Sequence, residues 1–255
     1  MFENSNFELW HGDCLELMNQ IPDKSVDMIF TDLPYQVTQN QWDCMIDLDK
    51  LWEQYKRIIK KNGCIALWAQ APFSHILALS NLEQYRYEWI IEKTKATGHL
   101  NAKKMPMKAH ENVMIFADLD ESPETLQIFY GALPTYNPQM TEGHTPVHSY
   151  TKHTTDGSCY GDTKIGISGG GSTMRYPRDV LQFQWDTQKS SLHPTQKPVL
   201  ACEYFIKTYT NEGDIVLDSC MGSNTTGLAC KNLNRKYIGI EKHEEYFKIA
   251  KERIL

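Results

Sequence analysis

Five stretches of the chain are apolar almost without a break and short. They are "SVDMIF" (Ser25–Phe30), "CIALWAQ" (Cys64–Gln70), "NVMIFAD" (Asn112–Asp118), "IVLD" (Ile215–Asp218) and "KYIGIE" (Lys236–Glu241). Runs of this length read as strands buried on both faces, whereas a half-exposed strand would alternate polar and apolar residues. "FELWHGD" (Phe7–Asp13) and "YEWIIEK" (Tyr87–Lys93) also have strand character. Between them lie amphipathic segments. "CLELMNQI" spaces Leu15, Met18 and Ile21 at helical intervals and ends at Pro22. "LDKLWEQYKRIIKKNG" places Leu48, Leu51, Trp52, Tyr55, Ile58 and Ile59 along one side, with Gly63 as the expected stop. "VLACEYFIKTYT" and "HEEYFKIAKERIL" carry the same periodicity near the C-terminus. This alternation predicts an α/β fold with a mostly parallel sheet covered by helices on both faces. No internal repeat interrupts it.

At 255 residues the chain fits one large domain, or a domain with a sizeable insertion. An apolar content of 41% with 23% charged residues is ordinary for a soluble protein, and no apolar run has the length of a membrane span. The start, "MFENSNFELW", has no basic-then-apolar signal pattern. Seven scattered cysteines, with no C-x-x-C pair, point to a reducing cytoplasm rather than a disulfide framework. The net charge of −6 disfavours a nucleic-acid partner on average, but binding depends on local patches. One such patch, "KTKATGHLNAKKMPMKAH" (Lys93–His110), has five lysines, two histidines and no acid. It reads either as a solvated loop or as a polyanion-facing one, with Lys103 and Lys104 at its centre.

From about Glu121 to Ser190 the texture changes to prolines, glycines, threonines and histidines. A segment this long without regular patterning is expected to be functional or partly disordered. Arg175 and Arg178 are candidates there for phosphate contacts, with Lys152, Lys164 and Lys189 beside them. His144, His148, His153 and Cys159 repeat no regular ligand spacing, so no metal is expected.

"IVLDSCMGSNTTG" (Ile215–Gly227) is a strand, an acid, a small-residue loop and a helix start. Small residues let backbone N–H groups approach a ligand, and Glu241, at the end of the next strand, is well placed for ribose hydroxyls. That arrangement suits a nucleoside-bearing cofactor. A dinucleotide is disfavoured because G-x-G-x-x-G is missing. Asp32 closes another strand in "FTDLPYQ" (Phe30–Gln36), where a carboxylate and a tyrosine arrive together as the chain leaves the sheet. Ligands of open parallel sheets sit at such carboxyl ends.

"TDLPY" resembles the D-P-P-Y motif of amino-group DNA methyltransferases. "HPTQKP" (His193–Pro198), "VLDSCMGSNTTG" and "YIGIE" are similar to that family's cofactor motifs, and "HGDCLELMNQIPDKSVDMIFTDLPY" to the way its β group begins. The order, catalytic motif before cofactor motif, is that of the β group. The resemblance covers residues 7–118 and 190–255 and leaves the middle unmatched.

It implies a Rossmann-like methyltransferase fold that binds S-adenosylmethionine. The catalytic domain would comprise 1–118 and 190–255, with a target-recognition insertion at 119–189. Asp32, Leu33, Pro34 and Tyr35 fall on the catalytic motif. Asp218, Gly222, Ser223, Asn224 and Thr225 fall on the methionine-side loop, Glu241 on the ribose acid and Asp13 near the adenine. Thr195 and Lys197 fall where the preceding motif approaches the cofactor. The implied partner is double-stranded DNA, with no membrane. A homodimer and a paired restriction nuclease stay open.

The chain departs from the pattern at Leu33, where the family has proline. It also departs at Ser219 and Cys220, where the family has Pro and Phe, and at Asn224, where it has glycine. Leucine keeps the backbone carbonyl, and asparagine tolerates a positive φ. Asp32 favours adenine-N6 over cytosine-N4 methylation, since the cytosine enzymes more often carry serine there. The release-factor glutamine methyltransferases share an N-P-P-Y version, but with the cofactor motif first. An inactive DNA-binding subunit of the same fold is the alternative of a different class. Asp32 and Tyr35 argue against it, while Ser219 and Cys220 keep it open.

Overall fold

The apolar runs at 26–32, 59–69, 108–117, 215–218 and 236–241 all enter one eight-stranded sheet. The computed structural model describes residues 2, 6–34, 45–117, 133–151, 168–184 and 196–254. In chain order the sheet is built from β1 (Phe7–His11), β2 (Val26–Asp32), β3 (Ile59–Ala69), β4 (Tyr85–Thr97) and β5 (Lys108–Ala117). A separate pair, β6 (Tyr150–Thr151) and β7 (Ser168–Gly169), comes next, followed by β8 (Val180–Phe183), β9 (Ile215–Asp218) and β10 (Lys236–Glu241) of the large sheet. The spatial order is β1-β10-β9-β2-β3-β5-β4-β8. Strands β1, β10, β9, β2 and β3 run parallel to one another, and β8 runs parallel to β4. Only β5 is antiparallel to both of its neighbours, so the sheet is mostly parallel as the sequence predicts.

Two apolar layers form because strand side chains alternate between faces. In β2, Ile29 joins Leu51, Trp52, Tyr55, Ile58, Phe73 and Leu77 on one face. These belong to helices α2 (Leu48–Ile58) and α3 (Phe73–Ser80), and a short helix α1 (Cys14–Leu17) packs on the same side. Met28 and Phe30 join Phe205, Ile206 and Tyr209 of α4 (Val199–Tyr209) on the other face, with α5 (Thr225–Asn232) and α6 (Glu244–Ile254). Both faces are therefore buried, which is why the strands show no polar alternation. Helix α3 has no counterpart in the periodicity described above; the Trp52 indole ties α2 to it, donating to Ser80 Oγ at 2.8 Å.

The structure differs from the sequence reading at two boundaries. Helix α2 stops at Ile58, and Ile59 is already extended (φ −69°, ψ 139°). Ile59 pairs with Val26, and the Lys60 ammonium bridges Asp27 at 2.8 Å, so sheet pairing outcompetes the last helical turn. Gly63 is thus no helix stop. A Cβ there would lie 2.7 Å from Ile59 Cδ1 and 2.9 Å from the Asp27 carbonyl oxygen. The lysine-rich stretch is also strand at both ends, because β4 runs on to Thr97 and β5 begins at Lys108.

Two compact units result. The larger comprises 1–137 and 179–255, and the smaller Pro138–Arg178. Strand β8, within the stretch the sequence assigns to the insertion, belongs to the larger unit. The smaller unit holds β6 and β7 and a bridge between Thr141 and Arg175.

Candidate active site

Adjacent parallel strands β1, β10, β9 and β2 each end at or just before an acid: Asp13, Glu241, Asp218 and Asp32. The carboxyl edge of the sheet thus gathers carboxylates from segments far apart in the chain. Asp13 caps α1: its Oδ1 accepts from the Leu15 N–H at 2.9 Å, and its Oδ2 pairs with the Lys242 ammonium at 3.0 Å. Burial alone would raise its proton affinity, but Lys242 and the Leu15 N–H outweigh that and hold it below the usual carboxylate value. Glu241 accepts the Gly222 N–H on Oε2 at 2.9 Å and the His243 N–H on Oε1 at 2.7 Å. Burial nevertheless pushes its proton affinity up. Asp218 is buried, and its Oδ1 accepts from Thr31 Oγ1 at 2.7 Å and the Cys220 N–H at 3.1 Å. Burial lifts it to about 6 against these bonds and one from Thr226.

The loop after β9 is held from behind by α6. Arg253 donates to the Ser223 carbonyl at 2.8 Å, to Ser223 Oγ at 3.2 Å and to Thr225 Oγ1 at 3.0 Å. Asn224 sits in the left-handed region (φ 65°, ψ 43°) and donates from Nδ2 to the Ala250 carbonyl at 3.1 Å. Asparagine thus takes the backbone conformation glycine favours and adds a tether glycine lacks. Gly222 is also at positive φ (50°). The departures at 219 and 220 have partners of their own. Ser219 Oγ lies 2.6 Å from the buried Tyr55 hydroxyl and 4.0 Å from the Cys220 sulfur. As a donor set, recessed carboxylates beside a small-residue loop suit a ligand carrying positive charge and hydroxyls, as the sulfonium, ammonium and ribose of S-adenosylmethionine do.

On the other side of Asp218 the catalytic motif leaves β2. The Asp32 side chain is partly exposed, Leu33 is buried in the core and Pro34 is half-buried. Lys197 is placed by the start of α4 against this motif. Its ammonium lies 2.9 Å from Asp32 Oδ2, 2.8 Å from Glu111 Oε2 and 5.0 Å from the centre of the Trp68 ring. Glu111 in turn pairs with Lys93 at 2.6 Å. Burial opposes its ionisation, but Lys197 and Lys93 overcome this and hold its carboxyl at about 2.

Asp13, Asp32, Lys197, Asp218, the 222–225 loop and Glu241 thus come from one edge of one unit. Lys197, which the resemblance assigns to the cofactor, sits on the catalytic motif. Lys93, read as the first residue of a basic loop, is buried in an ion pair. Glu111, Lys93, Tyr55 and Arg253 enter the site without a motif to announce them, and Thr31, inside "TDLPY", is assigned no role by that motif. The signal for the first two was a charged residue at each inner end of two apolar strands that a loop must pair. Lys103 and Lys104 are exposed in the turn between β4 and β5. Arg178 is exposed, while Arg175 donates to the carbonyls of Ser172, Met174 and Thr145 and so braces the smaller unit. Tyr35, Thr195 and the lysines at 152, 164 and 189 lie outside the described residues, as do His153 and Cys159.

A family model described as DNA methylase, of the N6/N4 type, matches residues 26–252. The chain belongs to the N6/N4 DNA methylase family. The methylase is 28% identical over 276 residues to the type II methyltransferase M2.LlaDCHI of Lactococcus lactis subsp. cremoris, covering 99% of this chain and 91% of that relative. It is 26% identical to the type II methyltransferase M.HinfI of Haemophilus influenzae, covering 95% of this chain and 67% of the relative. In fold it is similar to the PvuII DNA methyltransferase, described as cytosine-N4-specific, with a TM-score of 0.70, 17% identity and coverage of 98% and 87%. M1.HpyAVI in its SAM complex gives a TM-score of 0.60 with 22% identity and coverage of 97% and 98%. No helix among the described residues is long and apolar enough to cross a membrane.

Proposed function

We propose that the methylase is an adenine-specific enzyme, transferring the methyl group of S-adenosylmethionine to the exocyclic N6 amine of adenine at specific sites in DNA. The observation that carries this reading is the Asp32 carboxylate at the carboxyl end of β2, next to the strand that ends in Asp218.

The amine of adenine is a poor nucleophile because its lone pair is delocalised into the ring. Asp32 and the Leu33 carbonyl would each accept one N–H, favouring a tetrahedral nitrogen with its lone pair free. The buried Leu33 side chain anchors the backbone that presents this carbonyl. S-adenosylmethionine, when bound, supplies an electrophilic methyl on a sulfonium, so no covalent enzyme intermediate is needed. Asp218 and the 222–225 loop would hold its methionine end, Glu241 the ribose and Asp13 the adenine side. Positioning does most of the remaining work, and one lost electrostatic contact typically costs about 10²–10³ in rate. The target base must leave the duplex to reach Asp32, and Tyr35 would stack on it, worth roughly 1–3 kcal/mol. The cysteines have no catalytic part in this chemistry.

The smaller unit, Pro138–Arg178, is the proposed reader of sequence, with Arg178 exposed and available to phosphates. Independently, Lys103 and Lys104 of the larger unit are proposed phosphate contacts. Long-read sequencing of DNA from cells expressing the protein tests the reading. Modified adenine N6 at a fixed motif is the expected result, and modified cytosine N4 would overturn the base assignment. Asp32→Ala should abolish transfer while leaving cofactor affinity within a few-fold; retained turnover would remove Asp32 from the acceptor role.

A further inference from the structure

Four charged groups of alternating sign run across the sheet from β4 toward β2. Lys93 Nζ lies 2.6 Å from Glu111 Oε1, Glu111 Oε2 lies 2.8 Å from Lys197 Nζ, and Lys197 Nζ lies 2.9 Å from Asp32 Oδ2. The first three side chains are only 11%, 13% and 10% exposed, against 28% for Asp32. Burying a lysine is costly unless its charge is met. Here the second and third members are each met on two sides, and the chain ends on the proposed acceptor of the target amine. The members come from β4, β5, the start of α4 and β2, so no local turn would bring them together.

We propose that Lys197 and Glu111 are positioning residues for methyl transfer: Lys197 keeps the Asp32 carboxylate ionised and aimed, and Glu111 holds Lys197 in place to do so. The proposal rests on the reading of Asp32 as the acceptor. Its need follows from the neighbours of Asp32. The Asp218 carboxylate on β9 and the Cys202 thiol on α4 both feel its charge. Glu111 faces the same ammonium from β5, and Lys93 lies behind it on β4. Without a cation, two carboxylates at adjacent strand ends would compete for protons, and a protonated Asp32 accepts an amine hydrogen poorly. A lone lysine would have three donors and a flexible stem, free to swing toward substrate or cofactor oxygens. Two-point attachment to Asp32 and Glu111, over the face of Trp68, removes that freedom.

The test is transfer of tritiated methyl from S-adenosylmethionine to unmethylated plasmid DNA, at saturating cofactor from pH 5.5 to 9, with cofactor affinity measured by calorimetry. Lys197→Met should lower kcat about 10²–10³-fold and move the acid limb of kcat upward by about one unit or more, with cofactor Kd within about three-fold. Lys197→Arg should return the acid limb toward its original position. Glu111→Gln should lower kcat, and the Lys197→Met/Glu111→Gln double variant should lose no more than Lys197→Met alone. The double variant also leaves no anion stranded beside the missing ammonium, so it carries the pH test if the single one does not fold. Losses that multiply would show that Glu111 acts independently, overturning the chain. Weaker cofactor binding with unchanged kcat would assign Lys197 to the cofactor and overturn the proposal. Full turnover by Asp32→Ala would instead defeat the functional reading beneath it; an inactive Asp32→Ala beside a wild-type Lys197→Met defeats this inference alone.

Discussion

Replacing Thr31 by valine deletes one oxygen from a buried site and leaves its volume nearly unchanged. Thr31 is 1% exposed, and its hydroxyl donates to Asp218 Oδ1 at 2.7 Å. A hydrogen bond to a charged group contributes about 1.5–3 kcal/mol, and 1.36 kcal/mol corresponds to one pKa unit. Losing it should therefore lift Asp218 from about 6 to roughly 7–8. At pH 7 the ionised fraction would fall from about nine-tenths to between about one-tenth and one-half. If the ionised carboxylate holds the positive end of the cofactor, affinity should fall with it. The assay is titration calorimetry with S-adenosylmethionine from pH 5.5 to 9.5 on both proteins in parallel. The ligand's own α-amino group titrates near 7.7–8.0, but it does so against both proteins and cancels in the ratio of dissociation constants. That ratio should be close to one above about pH 9, about 2–10 at pH 7, and larger below. A ratio independent of pH would refute the reasoning, because shape alone, and not the charge of Asp218, would then set the affinity.

Further outcomes are expected elsewhere. Lys103→Ala/Lys104→Ala should weaken DNA binding alike for all sequences and flatten its salt dependence; an unchanged slope in binding isotherms across a salt series would leave that turn a solvated face. Gly227→Ala would set a methyl 2.1 Å from Asn224 Oδ1 and 2.6 Å from Ile254 Cδ1. Overpacking of about 1–3 kcal/mol should lower Tm by about 3–10 °C in a thermal melt. Glu111, held at about 2 against an ordinary 4.5, contributes stability that is present above about pH 4.5 and lost as pH falls through 2. Glu111→Gln should therefore flatten the fall of unfolding free energy between about pH 4 and 2, measured by urea titration.

The readings that held are those where one local pattern suffices. An unbroken apolar run needs burial on both faces wherever it lies, so β2, β9 and β10 were visible in the chain itself. An acid at the end of a parallel strand lies on the carboxyl edge of the sheet, so Asp32, Asp218 and Glu241 could be expected to converge. Asn224 was legible for the same reason, since a positive φ is demanded by the turn it occupies. The misreadings share another cause. Ile59 has helical spacing and strand chemistry, and its pairing with Val26 decided between them. Gly63 looked like a stop until the approach of Ile59 and Asp27 gave it a different reason to be small. Lys93 counted as one of five lysines in a basic loop, yet it is buried on a carboxylate across the hairpin.

By itself, then, the sequence determined the alternation of layers, the edge on which the acids gather and the family to which the motifs belong. These depend on periods of two and of 3.6 residues and on short turns, which act over a few positions. Only the tertiary structure decided which charges meet. Lys197 faces Asp32 and Glu111 because the folded sheet sets β2 and β5 on either side of β3, with the start of α4 packed against them. An ion pair buried among neighbours depends on three-dimensional proximity and the loss of water, and neither is written in the spacing of residues along the chain.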